Sequence, residues 1–322
     1  MGKVLNITNG DCAVAVMRQA GVKGDILPWR DVLHEGPVPE NLSLDELAEV
    51  RARFIAERGW GEFEKVKKGF RQRDDVLRSF NDYDAVVLWF EHDLYDQLQI
   101  LQILDWFAEQ DLFSTRLSMI CSETYLGPTT PEELIELKQY EKLVSDEQLQ
   151  LARESWAAFR APSPLGLQDL LQEDTSALPF LDAVIRRLME EFPDDETGLS
   201  RTAYQALKII HAGESHAGKI FAQYQESEQR RFLGDSSFWV LLYEMLEATP
   251  PLLTLPENEQ LTLPTTPQQQ LSITPAGIEV LQAKRSWFDM HQLDRWIGGV
   301  HLTPHNIWSW NKDLQTLLNC TF

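Results

Sequence analysis

The stretch from Asp84 to Gln97 constrains this chain more than any other. Ala85-Val-Val-Leu-Trp-Phe90 is an unbroken apolar run that passes without a spacer into Glu91-His92-Asp93. A run of that length, rich in β-branched and aromatic residues, suits a strand buried on both faces, as in a parallel sheet. Leu94, Leu98, Leu101 and Leu104 then recur at helical spacing, so a helix begins directly after Asp93 and lays a leucine stripe on the sheet. Such a junction is the carboxyl end of a strand, where α/β folds place their ligands.

Three further apolar runs read as strands, at Val4–Thr8, Asp25–Pro28 and Leu117–Cys121, with helical patterns between them. Those patterns cover Cys12–Gln19, Leu44–Arg58 and Phe63–Phe80, the last with Lys65, Lys67, Lys68, Arg71 and Arg73 as a solvated basic face. Alternating strands and helices predict a Rossmann-like α/β domain with a mostly parallel sheet over residues 1–160. Arg160-Ala-Pro-Ser-Pro-Leu-Gly breaks the pattern and opens a helical linker over 161–195. Helices are then expected at Pro179–Glu191, at Arg201–His211 behind a Ser200 cap, and at about 217–224 and 236–247. β-prone stretches at Leu252–Leu255 and Gln260–Leu263, a Thr/Pro/Gln loop and a closing helix at 276–284 complete the order. That order predicts a mainly helical, winged-helix-like domain over 196–322, ending in an aromatic tail.

A chain of 322 residues with 43% hydrophobic content has ample material for two cores. Its net charge of −21, concentrated in residues 1–196, repels phosphate backbones and makes nucleic acid an unlikely partner. Three widely spaced cysteines argue for a reducing, cytoplasmic setting and against a disulfide scaffold. The first residues lack the apolar core of a signal peptide, and no run approaches the roughly 18 apolar residues of a membrane span.

If the four strands are parallel, their polar ends converge on one sheet edge. They bring Asn9-Gly-Asp11, Trp29-Arg30-Asp31, Glu91-His92-Asp93 and Ser122-Glu123-Thr124, with His34-Glu35-Gly36 in a loop able to cover them. A functional reading assigns Asp11, Glu91 and Asp93 as metal ligands and His92, Glu91 and His34 as catalytic groups. Arg30, Asn9, Asp31 and Glu35 then bind the ligand. Crowded carboxylates raise one another's pKa or recruit a cation, and magnesium or manganese suits oxygen donors with one imidazole. Metal-assisted hydrolysis of a phosphoester follows. The plain alternative is that Asp93, with Asp96 three residues later, caps a helix and complements its dipole, that Asp11 caps the first helix in the same way, and that Asp31 pairs with Arg30. One glycine stands where a dinucleotide turn needs three, and no Gly-Lys-Ser/Thr is present, so neither an NAD nor an ATP motif is found.

The helix that would enter a DNA groove, about 235–247, contains no Lys or Arg, which favours a protein partner or self-association over DNA. In the tail, Trp296, Trp308 and Trp310 suggest a packed seam. His301 and His305 are four apart, but Pro304 forbids a regular helical metal pair.

Ile7-Thr-Asn-Gly-Asp-Cys12, Pro28-Trp-Arg-Asp-Val-Leu-His-Glu-Gly-Pro-Val-Pro39 and Val87-Leu-Trp-Phe-Glu-His-Asp-Leu-Tyr-Asp-Gln97 resemble an uncharacterised bacterial family, domain of unknown function 1835. The likeness covers roughly the first half. The tail around Arg295-Trp-Ile-Gly-Gly-Val-His-Leu302 is similar to the companion domain that often follows it. The resemblance implies no established activity, so it transfers no residue role. The expectation is therefore an enzyme, a metal-assisted hydrolase or transferase on a small phosphorylated or nucleotide-like ligand. The alternative is a non-catalytic regulator whose second domain contacts protein.

Overall fold

The computed structural model describes residues 2–257, 259–262 and 269–320. They form two units, Met1–Ile185 with Gly298–Val300, and Arg186–Ile297 with His301–Phe322. The division falls inside the helical stretch expected as a linker.

In the first unit β1 (Val4–Thr8), α1 (Asp11–Gln19), β2 (Asp25–Pro28) and the short β3 (Gly36–Pro37) are followed by a helical pair, α2 (Leu44–Glu57) and α3 (Phe63–Arg78). Then come β4 (Ala85–Glu91), α4 (Leu94–Ala108), β5 (Arg116–Ser122), α5 (Pro131–Glu136), β6 (Lys142–Leu143), α6 (Asp146–Arg160), α7 (Leu165–Leu170) and the first residues of α8 (Leu181–Met189), whose remainder from Arg186 belongs to the second unit. The main sheet has five strands in the order β2-β1-β4-β5-β6. The first four are mutually parallel, and β6 runs antiparallel to β5. The α/β, mostly parallel expectation is met, and the antiparallel edge strand is an addition to it.

Every residue of β4 is buried, as its uninterrupted apolar run requires of a central strand with both faces covered. On one face Trp89 and Val87 pack with Ala13, Val16 and Met17 of α1 and with Ile120 of β5. α4 is buried nearly all round, because α6 packs across it. Two glutamines of α4 reach the residues that follow β2. Gln102 accepts from the Trp29 indole at 2.8 Å, and Gln99 donates to the Asp31 carbonyl at 2.8 Å. α2 begins with a full capping box, Ser43 with Glu46.

The basic face expected on α3 is partly corrected. Arg73 is only 5% exposed, since its guanidinium lies 4.0 Å from the Trp29 ring centroid and 4.6 Å from that of Phe70. Burying Arg on aromatic faces offsets part of the cost of removing its charge from water.

The second unit contains α9 (Arg201–His211), α10 (Ala217–Ser227), α11 (Asp235–Glu247), β7 (Leu253–Thr254), β8 (Ser272–Ile273) and α12 (Pro275–Leu281). β9 (Arg295–Gly298), β10 (Val300–Leu302), β11 (Trp308–Asn311) and β12 (Thr316–Asn319) follow. Ser200 caps α9, accepting from Ala203 N–H at 3.2 Å, as expected. β7 pairs antiparallel with β8, so the second arm of the expected hairpin lies at 272–273. Gln260–Thr262 form no strand, while Leu263 and the loop to Gln268 lie outside the described residues. The tail aromatics Trp308 and Trp310 belong to the antiparallel pair β11–β12.

The core of this unit includes a charged network. Glu191 accepts from Arg187 at 2.8 Å and from Arg295 at 3.0 Å, and Arg187 also donates to Glu228 at 2.6 Å. Burial raises the Glu191 pKa, but the two guanidiniums and Thr202 more than offset it and hold the group at about 2. Among the described residues no helix is long and apolar enough to cross a membrane.

Candidate metal centre at the strand switch point

β1 is flanked by β2 on one side and β4 on the other, so the order of connection reverses between β1 and β4. Such a reversal opens a crevice at the carboxyl ends of the strands, the usual ligand position in open α/β sheets. Asn9 follows β1 there, and Glu91 is the last residue of β4.

Asn9 bridges two acids. Its Nδ2 donates to Glu91 Oε1 at 3.0 Å and to Asp96 Oδ1 at 2.8 Å. Glu91 Oε1 also accepts from the Leu126 N–H at 2.7 Å, and Asp96 Oδ2 accepts from the Glu91 N–H at 2.6 Å. Asp93 caps α4, its Oδ1 accepting from Tyr95 N–H at 2.9 Å and Asp96 N–H at 3.2 Å. The capping reading of Asp93 is therefore correct, and it coexists with a cluster. Candidate ligand atoms of Glu91, Asp93 and Asp96 all lie within 4.8 Å of one another, and all three residues are buried.

Burial and mutual repulsion act on these acids together. Burial pushes Glu91 up, against its bonds from Leu126 and Asn9. Burial and then the Glu91 charge push Asp93 up to about 7. Asp96, wholly buried, is raised well above its usual value by burial and then by Asp93 and Glu91. No Lys or Arg among the described residues forms an ion pair with any of the three. The hydrogen bonds to Glu91 gather on Oε1 and those to Asp93 on Oδ1. The donor set fits a hard divalent ion.

The other candidates occupy distinct places. His92 is buried against Tyr125 and Phe180, with ring centroids 5.0 and 5.9 Å away. His34 is 4% exposed, lies edge-on to Tyr95 at 5.9 Å and places Nε2 3.3 Å from Glu35 Oε1. The loop after β2 thus reaches the first turn of α4. Asp11 is the first residue of α1, not its cap. It forms a two-point pair with Arg30 at 2.9 and 2.6 Å, largely exposed on both sides. Asp31 does not pair with Arg30. Its partner is Arg51 of α2, at 2.9 Å with both side chains 1% exposed. Arg51 also donates to the carbonyls of Val32 and Glu35 at 2.9 and 2.7 Å, so one guanidinium fixes the whole loop. Glu123 is exposed.

Two residues of this constellation escape a sequence reading: Asp96, which looks like an ordinary first-turn acid, and Arg51, which looks like one charge on an amphipathic helix. The signal for Asp96 was its place one turn after Asp93, on the side of α4 that faces β4. In comparisons with known proteins, no family model matches the chain, and no curated protein matches it.

Proposed function

We propose that the β1–β4 switch point binds magnesium or manganese and that the protein is a metal-assisted hydrolase or transferase acting on a small phosphorylated or nucleotide-like ligand. The observation that carries this reading is the convergence of three buried carboxylates within 4.8 Å without a Lys or Arg partner among the described residues. Such a group stays protonated or takes a cation. A bound divalent ion would supply charge neutralisation for a phosphoryl group there.

In this reading Glu91, Asp93 and Asp96 are the ligands, and Asn9 orients two of them. His92, next to Glu91 in the chain, carries the proton to or from the reacting oxygen, and His34 with Glu35 closes the same edge. Arg30 exchanges Asp11 for the anionic group of the ligand, and Asp31 acts through Arg51 by holding the loop that carries His34. Cysteine usage and composition favour a cytoplasmic setting. The first half belongs, on this proposal, with the uncharacterised family its three motifs resemble.

A second reading concerns α9 to α12. Their order with β7 and β8 supports a winged-helix-like module, and the absence of Lys and Arg from α11 favours contact with protein over nucleic acid. Tyr243 of α11 is 42% exposed, which suits such a contact. Duplex DNA at low salt is expected to give no mobility shift, and a shift would reverse this preference.

The test of the metal reading is thermal melting of EDTA-treated protein with added magnesium, manganese or calcium, beside Glu91→Gln. An ion at a hundred times its dissociation constant adds about 2.7 kcal/mol. Wild type is expected to melt higher with manganese or magnesium and the variant to show no gain. Equal gains in both proteins, or none in wild type, would overturn the assignment.

A further inference from the structure

Beside β2 the first unit holds a cleft of about 550 Å³, walled by the end of that strand and by α2, α3 and the turn between them. Its walls include Arg30, Lys65 and Arg73 against one acid, Glu62. Two of these cations carry a carboxylate partner of their own, Arg30 with Asp11 and Arg73 with Asp74. Trp60 and Phe70 supply aromatic wall, and Trp60, half-buried, is itself propped edge-on by Phe54 at 5.9 Å.

Two observations point to an occupant. The first is Arg73, which is 5% exposed. Its Nε donates to Asp74 Oδ1 at 2.7 Å, yet its Nη1 has no hydrogen-bond partner among the described residues. A structural role as an aromatic-stacked pair explains the Nε bond and the ring contacts, but it leaves that donor unused, and an unmade buried hydrogen bond is destabilising. The second is Gly69, in the interior of α3 and in the cleft wall. A Cβ built there meets nothing within 4 Å, so no packing contact demands glycine. Glycine in a helix interior is destabilising relative to alanine, through the backbone freedom it loses on folding. Its lack of a side chain keeps the floor of the cleft open.

We infer that this cleft binds a nucleoside monophosphate, its phosphate held by Arg30, Lys65 and Arg73 and its base laid on Trp60. Cations clustered on one part of the wall and aromatic surface on another match a ligand that is anionic at one end and planar at the other. The volume falls within the range of small-molecule sites. Arg30 already holds a carboxylate at two points, in the geometry that a phosphate also accepts. The inference needs no metal and uses none of the clustered carboxylates; it shares Arg30 with the function proposed above and, through that residue, rests on that reading.

The test is quenching of tryptophan fluorescence and calorimetric titration of the full chain in EDTA. The probes are AMP, GMP, CMP and UMP, with inorganic phosphate and adenosine as the two halves of the ligand. Gly69→Leu fills the cleft from an open position without removing a cation, and Lys65→Glu reverses one exposed charge. At least one mononucleotide is expected to bind tenfold or more tightly than either half. Gly69→Leu and Lys65→Glu should each weaken it at least tenfold while melting no lower than wild type. Phosphate binding as tightly as every mononucleotide, unchanged binding in Gly69→Leu, or no binding by any probe would overturn the assignment.

Discussion

Glu91 shows how much one side chain owes to its surroundings. On its own it is an ordinary carboxylate at the end of a strand. In the fold it is enclosed, bonded by Asn9 and Leu126, and grouped with two more acids. Folded-state pKa values raised above the usual range mean that the neutral forms favour the fold. Their contribution is fully present below the ordinary carboxylate value, about 4, and fades as pH rises through about 7 for Asp93. Metal-free wild type should therefore lose melting temperature between about pH 4 and pH 7. Glu91→Gln, which keeps an oxygen for the Leu126 and Asn9 donors and removes one charge, should flatten that loss. A melting series across the range in EDTA reads it directly, and parallel slopes for the two proteins would contradict the assignment of the shift to this cluster.

At the scale of elements, α2 does more than pack against α3. Arg51 ties it to the loop between β2 and β3 through Asp31 and backbone carbonyls. Removing one partner of a buried pair leaves the other charge uncompensated, at a cost of about 3–5 kcal/mol. Arg51→Ala is expected to lower stability by that order, read by urea unfolding, and to loosen the loop carrying His34. A loss under about 1 kcal/mol, the range of exposed pairs, would show that the loop is held by other means. Strands β1, β2, β4 and β5 and helices α1 to α4 were legible because each is patterned by its own residues. The helix α6 carried a readable signal too, since Ser145 and Gln148 form its capping box. The edge strand β6, two exposed residues long, carried none: its pairing with β5 is a tertiary choice.

At the scale of the whole chain, two ionisable groups of buried residues answer pH in opposite senses. The Glu191 pKa, depressed to about 2, contributes stability above its unfolded value of about 4.5 that is lost as pH falls toward 2. With the loss above pH 4 in the carboxylate cluster, metal-free protein should be most stable near pH 4–5. Glu191→Gln should flatten the acid limb and leave the other limb alone, as calorimetric scans from pH 2 to 8 would show. Chain distant in sequence also completes the first unit. Gly298 accepts from the Val38 N–H at 2.8 Å, and Gly299 donates to the Phe159 carbonyl at 2.9 Å. A Cβ on Gly299 would lie 1.7 Å from the Arg160 carbonyl oxygen. Gly299→Ala is expected to cost about 1–3 kcal/mol, seen as a lower melting temperature, and an unchanged melt would refute that close approach.

Local pattern alone determined the α/β class, the four parallel strands, the Ser200 and Asp93 caps and the strand end at which the buried carboxylates gather. Periodicity, apolar runs and cap residues act over a few neighbours, so they are written in consecutive residues. Tertiary structure decided which acids meet. Asp96 joined Glu91 and Asp93, Asp11 went to Arg30, and Asp31 went to Arg51 rather than to its neighbour. It also buried Arg73, which periodicity had placed in solvent. Charges choose partners by distance and burial, and both are set by how separate elements pack, over separations that no local pattern encodes.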